Sequence, residues 1–266
     1  NDGLTESTPV TNVNTAIAIA KDNGIAAGDT LIVKLIKNAS NTANYWRAGG
    51  AAGAVSSHPF TLKITSATDK AKINMPNISL GGDTIFDNVQ VACTKYKTFN
   101  FSGYDVKFVN NATISGTPSV IGLRNQANDT YNEDLNLYLG SAIGQTVTFS
   151  GNYSGGIENG DINITLDNAG ASTFRVGAHE GTNTPTYNGN INFNIKNSKG
   201  LALTGDTYAF GATAALQFIN SADVSMTAIK ETISAYVNNA ATPSAVPYYI
   251  INNKSGSPDA VELTET

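Results

Sequence analysis

The chain has 266 residues, a net charge of −5 and only 14% charged residues. That length suits one extended all-β domain without an internal boundary, and the acidic balance offers no basic surface for nucleic acid. Its single cysteine, Cys93, excludes an internal disulfide and a cysteine metal cluster.

Polarity comes instead from Asn, Thr, Ser and Gly, a composition expected of an exported, extracellular β-protein. No stretch reaches the roughly eighteen apolar residues of a membrane span. No basic-then-apolar leader opens the chain at Asn1, so it reads as mature or trimmed.

The segment Thr11 to Lys21 predicts the one helix, with capping-type polar residues, good helix formers and Gly24 placed to end it. Its apolar face, Val13, Ile17 and Ala20, is expected to plug the open end of a solenoid. A glycine-led strand, Leu31 to Ile36, comes directly after it. From 38 to 59 runs an Ala/Gly/Ser-rich excursion holding Tyr45, Trp46 and Arg47, and loops of this length are often functional. Phe60 to Ile64 and Gly82 to Val91 then resume the alternation of apolar and polar residues. Cys93 ends an alternating run and reads as a small core residue.

The clearest signal lies further on. Gly160-Asp161-Ile162-Asn163-Ile164-Thr165-Leu166 and Gly189-Asn190-Ile191-Asn192-Phe193-Asn194-Ile195 match in kind at every step, 29 positions apart. Period-two alternation marks a strand with one buried face. A repeat of this length means stacked units, none able to bury its apolar face alone. Strand openers near Val106, Asp134, Asp161, Asn190 and Ala214 continue the count. Second strands follow at Ile121 to Arg124, Val147 to Phe149, Phe174 to Val176 and Leu201 to Leu203. Two or three short strands per coil make a parallel β-helix. Asn110, Asn168, Asn197 and Asn220 each follow the end of a strand and are expected to stack as turn residues. Thr232 to Val237 and Tyr248 to Asn253 read as the last strands, the tyrosine pair shielding the open end. The expected layout is one all-β domain, a right-handed parallel β-helix, with a helical cap at about 11–24, rungs at about 28–253 and a polar tail at 254–266.

The openings at 82 to 89 and 160 to 166, with the stretch Gly103 to Gly116, resemble repeats of large adhesin-like surface proteins of Gram-positive gut and anaerobic bacteria. Several of those proteins are right-handed β-helices of the pectate-lyase-like shape. The resemblance spans roughly Asn77 to Asn220 and implies a non-catalytic cell-surface or secreted module that binds a polysaccharide or host glycan. The same fold also carries polysaccharide lyases and hydrolases, and inert stalks.

Candidate site residues follow from chemistry. A lyase needs a cationic base, and Arg124 and Arg175 occupy similar places two rungs apart, about 10 Å if both point outward; ordinary solvent-facing arginines are the alternative. His179 and Glu180 follow Arg175, whereas His58 has no partner histidine and reads as a loop residue. Asp129, Glu133 and Asp134 form an oxygen-rich loop in which calcium is the one ion suggested, a solvated turn being the alternative. No other cofactor is implied. Tyr45, Trp46, Tyr131, Tyr153 and Tyr187 are candidate ring faces on which a neutral sugar could stack, Trp46 folding back to cover a rung's edge being the alternative. Tyr45, Trp46, Arg47, Arg124 and Arg175 are therefore the expected ligand-binding residues of a chain that acts as a monomer.

Overall fold

A computed structural model describes residues 5, 8–36, 53–66, 71–75, 78–93, 99–116, 121–124, 128–140, 147–151, 155–167, 172–177, 183–196, 201–204, 208–220, 248–252 and 259–262. The expected helix is Val13–Asp22. Asn12 caps it by accepting the Thr15 amide at 2.8 Å, which satisfies one of the donors a helix start leaves unpaired. Gly24, at φ +80°, ends it in the left-handed region. Val13, Ile17 and Ala20 are buried as the periodicity requires. Asn14 accepts the Ser56 amide and Lys21 donates to the Ser57 carbonyl, fastening the helix to the first coils.

A 10-stranded sheet runs the length of the molecule: Thr30–Leu35, Thr61–Ser66, Thr84–Asp87, Val106–Val109, Leu135–Leu139, Ile162–Asp167, Ile191–Lys196, Leu216–Asn220, Tyr248–Asn252 and Asp259–Glu262. Every pairing in it is parallel except the last. A 7-stranded parallel sheet forms a second side: Gly53–Ala54, Ile78–Ser79, Phe99–Asn100, Ile121–Gly122, Val147–Ser150, Ser172–Arg175 and Leu201–Thr204. The protein is thus a parallel β-solenoid. Ile162 lies opposite Ile191, Ile164 opposite Phe193 and Leu166 opposite Ile195, which is the register set by the repeat.

The cross-section changes along the axis. In the early coils a short sheet of Ala71–Met75, Val89–Cys93 and Thr113–Gly116 follows the long sheet. In later coils a sheet of Thr130–Tyr131, Ile157–Glu158, Thr186–Tyr187 and Ala209–Phe210 precedes it. The coil starting at Val106 contributes to both, so linked positions Asp105 and Asn136 are 31 residues apart, compared with 22 from Asp83 to Asp105. The strand expected to open at Asp134 therefore pairs three residues later than the count from Val106 suggests, Leu137 lying opposite Val106.

Inward positions fill the solenoid. Ile162–Asp167 alternates buried and half-buried residues. Phenylalanines stack from coil to coil, Phe86 on Phe108 at 5.0 Å and Phe193 on Phe218 at 5.2 Å. Such offset ring pairs stabilise beyond the area they bury.

The glycines before Asp161 and Asn190 have a steric reason. A Cβ at Gly189 would stand 2.2 Å from the Gly160 carbonyl oxygen, and one at Gly160 would stand 2.4 Å from the Glu133 carbonyl. Coils meet there backbone to backbone, and no side chain can move aside. Gly189→Ala is therefore expected to lower stability by about 1–3 kcal/mol. Asn188→Ala, at the exposed neighbour, serves as control in the same thermal melts and should shift stability by less than half as much.

Asn110 takes the left-handed turn conformation expected of it, φ 49°, and donates to Asp87 at 2.9 Å. Asn220 is placed in a strand, while Asn168 and Asn197 lie outside the described residues, as do Thr232 to Val237. Burial alone would raise the Asp87 pKa, but hydrogen bonds from Lys63 and Asn110 and the charge of Lys63, 2.7 Å away, hold it below the ordinary carboxylate value. Its contribution is present above the unfolded value near pH 4 and disappears as pH falls through the lower folded value. Asp87→Asn should flatten that part of the stability profile in denaturant titrations below about pH 4.

One expectation, Tyr187 as an exposed ring face, needs correction, and the readings of the polar tail and of His58 as a loop residue gain detail. The tail holds a strand, Asp259–Glu262, paired antiparallel to Tyr248–Asn252. His58 is buried, stacked on Phe60 with Nδ1 2.7 Å from the Phe60 carbonyl oxygen, and burial lowers its pKa. Tyr187 is fully buried, its hydroxyl donating to the Val176 carbonyl at 2.8 Å. Cys93 ends its strand as expected, although its side chain is outside the described residues.

Candidate binding wall

The strand openers share one device. Asp83, Asp105, Asp134, Asp161 and Asn190 each accept, through Oδ1, a backbone amide one coil further on: Asp105, Asn136, Asp161, Asn190 and Ala215, at 2.7–3.1 Å. This extends the parallel ladder past the strand and fixes the opener's side chain on the outside. Period-two geometry places the residue two after each opener on the same outer side of the strand, while the residue two before stands across the bend that joins the short sheet of Thr130–Tyr131, Ile157–Glu158 and Thr186–Tyr187 to the long one.

Around Asp134, Asp161 and Asn190 those flanking positions are asparagines. Asn159 donates to Asn132 and Asn188 to Asn159, both at 2.8 Å. On the other flank Asn192 donates to Asn163 at 2.8 Å and Asn163 to Asn136 at 3.2 Å; Asn136 in turn donates to both Asp105 carboxylate oxygens. The result is a grid three coils high and three columns wide, exposed or half-exposed throughout: Asn132, Asp134, Asn136; Asn159, Asp161, Asn163; Asn188, Asn190, Asn192. Coils are spaced by about 4.8 Å. The amides in each outer column point head to tail, an arrangement in which successive hydrogen bonds polarise one another.

At one corner two acceptors, Asn192 Oδ1 and Asn194 Oδ1, are buried without a hydrogen-bond partner. Beyond the grid on the same strands, Tyr138 donates to Asp167 at 3.0 Å. Burial first, then that hydrogen bond and the Asp167 charge, raise the Tyr138 pKa. The surface offers donors and acceptors in a fixed lattice, and its central column carries the carboxylates of Asp134 and Asp161.

The arginines are placed differently from the expectation. Register sets Arg175 opposite Ser150, and Ser150 opposite Gly122, so Arg124 is not its counterpart. Arg124 is 2% exposed, which contradicts both the outward pair and the ordinary solvent-facing reading. It forms an ion pair with Glu158, itself 0% exposed, at 3.1 Å, and donates to the Glu133 carbonyl at 3.0 Å and more weakly to that of Gly103. Tyr131 lies against its guanidinium, 4.3 Å from ring centroid to Cζ, and so serves the core arginine. Arg175 is half-buried on the second sheet with Nε unpaired, away from the grid.

The acidic trio is divided among separate tasks. Asp129 accepts the Thr130 amide at 2.9 Å, Asp134 the Asp161 amide at 2.8 Å, and the Glu133 carbonyl serves Arg124. Among the described residues no group of three or more His, Cys, Asp or Glu is arranged to hold a metal, and no helix is long and apolar enough to cross a membrane. Tyr45, Trp46, Arg47, Tyr153, His179 and Glu180 lie outside the described residues.

Sequence reasoning missed the grid itself, although its signal was there. The polar members of Asn159-Gly160-Asp161-Ile162-Asn163 and Asn188-Gly189-Asn190-Ile191-Asn192 repeat as faithfully as the apolar ones. Compared with known proteins, the chain matches no family model, no curated protein and no solved structure.

Proposed function

We propose that the chain is a non-catalytic module of a bacterial cell-surface or secreted protein, and that it binds glycan through the amide grid. Supporting this reading is one observation above all: nine Asn and Asp side chains occupy equivalent outward positions on three successive coils. Each sugar hydroxyl both donates and accepts, and a side-chain amide answers with both functions. The wall is rigid because its side chains are already bonded to one another. A preorganised surface loses little conformational entropy on binding.

Retention on a glycan array tests the proposal, with Asn159→Ala/Asn163→Ala as the comparison. The native chain is expected to be retained on a subset of glycans and the variant to lose at least tenfold in affinity, about 1.4 kcal/mol. A chain retained on no glycan would mean that the solenoid serves as a stalk. Release of unsaturated product from polygalacturonate would point to a lyase instead.

A further inference from the structure

We propose that the ligand of this grid is an uncharged, linear polysaccharide lying along the solenoid axis, a deepening that rests on the glycan-binding reading above. The first reason is repetition. Within its column Asn159 donates one N–H to Asn132 and accepts one from Asn188. An amide has two N–H donors and two acceptor lone pairs, so one of each remains to face outward. Asn163 is placed the same way between Asn136 and Asn192. In the Asn132–Asn159–Asn188 column a donor and an acceptor therefore recur on every coil, about 4.8 Å apart, over a rise of about 10 Å from first row to third, whereas in the other column Asn136 and Asn192 spend their N–H groups on Asp105, Asp161 and Asn163. A single sugar meets one or two rows, whereas a polymer meets all of them, and linked contacts multiply affinity.

The second reason is charge. The central column carries Asp134 and Asp161, and the coil beneath adds Asp105 bonded into the Asn136 column. The arginines that could offset them are elsewhere, Arg124 in the core and Arg175 on the second sheet, and the exposed cation on the coil beneath, Lys107, lies opposite Tyr138, outside the grid. Uronates and sulfated sugars meet repulsion here, which selects a neutral chain.

Direction is the third reason. Both outer columns run head to tail, each amide nitrogen pointing toward the earlier coil. The later end of the Asn136 column finishes on Asn192 Oδ1, buried and unpaired beside the equally unpaired Asn194 Oδ1. Unmet buried acceptors are costly, and the broad terminal torsion of asparagine lets a small rotation turn them toward an incoming hydroxyl. A polymer with distinct ends meets a wall with distinct ends and settles in one orientation.

The test measures binding of the whole chain by titration calorimetry to mono-, tri- and hexasaccharides from neutral linear polymers of glucose, mannose, xylose and N-acetylglucosamine. Polygalacturonate oligomers of the same lengths serve as the charged series. The expected result is affinity rising about a hundredfold from monomer to the longest neutral oligomer, with the charged series at least tenfold weaker. Asn159→Ala/Asn188→Ala should remove most of that length dependence while thermal unfolding stays close to that of the native chain; should this pair fail to fold, Asn132→Ala at the end of the column replaces it. Equal affinity for monomer and hexamer, or charged oligomers binding as tightly as neutral ones, overturns the polymer proposal and leaves glycan binding standing. Binding to no saccharide in either series overturns both.

Discussion

Replacing Glu158 with alanine is expected to destabilise the fold by about 3–5 kcal/mol, because it strands the Arg124 guanidinium in the interior without its counter-charge. The two side chains meet at 3.1 Å and are almost completely removed from solvent. They lie where the cross-section changes, in the coil that ends one short sheet at Gly116 and the one after it, which adds the second strand, Ile157–Glu158, to the sheet begun at Thr130. Arg124 also gathers the carbonyls of Gly103 and Glu133, so it joins three successive coils through one group. Replacing both partners, Arg124→Met with Glu158→Leu, removes the stranded charge but leaves those carbonyls without their donor. The pair should therefore recover to within about 1–3 kcal/mol of the native chain. Urea denaturation followed by circular dichroism compares the three proteins. A loss below about 1 kcal/mol for the single variant, the range of an exposed pair, would mean that the ion pair is solvated.

Phe193→Ala is expected to cost about 3–5 kcal/mol, the range for emptying a large aromatic site in a packed core. Phe193 stacks on Phe218 at 5.2 Å and meets the edge of Phe174 at 5.4 Å, so its loss opens a void between coils and between two sheets. Its chain neighbour Asn192 is half-exposed on the outer side, and Asn192→Ala should cost at most about 2 kcal/mol, since two part-buried amide bonds, to Asn163 and Asp161, are removed. The contrast between adjacent residues is the check. Similar losses in both variants would contradict the alternation on which the solenoid depends.

Both results bear on how the wall is held. An array of side chains keeps its lattice only if the coils behind it stay in register. The phenylalanine stack and the buried ion pair act from inside, and the opener carboxylates from outside. Repeat proteins gain stability from neighbour contacts, so damage at Glu158 is expected to loosen the grid rows on either side of it.

The sequence by itself determined the helix cap, most of the long sheet, the later strands of the second sheet and the register between the 160 and 189 repeats, whereas Gly53–Ala54 and Ile78–Ser79 of the second sheet were not legible. Those rest on local signals: a capping asparagine before Val13, and apolar residues at every second position in Ile162–Asp167 and Ile191–Lys196. The side begun at Thr130 was not legible, because strands of two residues carry no period. Arg124 was misread for a related reason. It follows the end of the two-residue strand Ile121–Gly122, where alternation no longer decides which way a side chain turns. What turned it inward was Glu158, on the next coil, which no spacing in the chain announces. The grid lies between these cases. Its residue types were on view at every repeat, yet only the stacking of coils brought Asn132, Asn159 and Asn188 into one column. Periodicity is local and can be read from neighbours along the chain, whereas charge pairing and hydrogen bonding between coils depend on which distant residues the coiling makes adjacent.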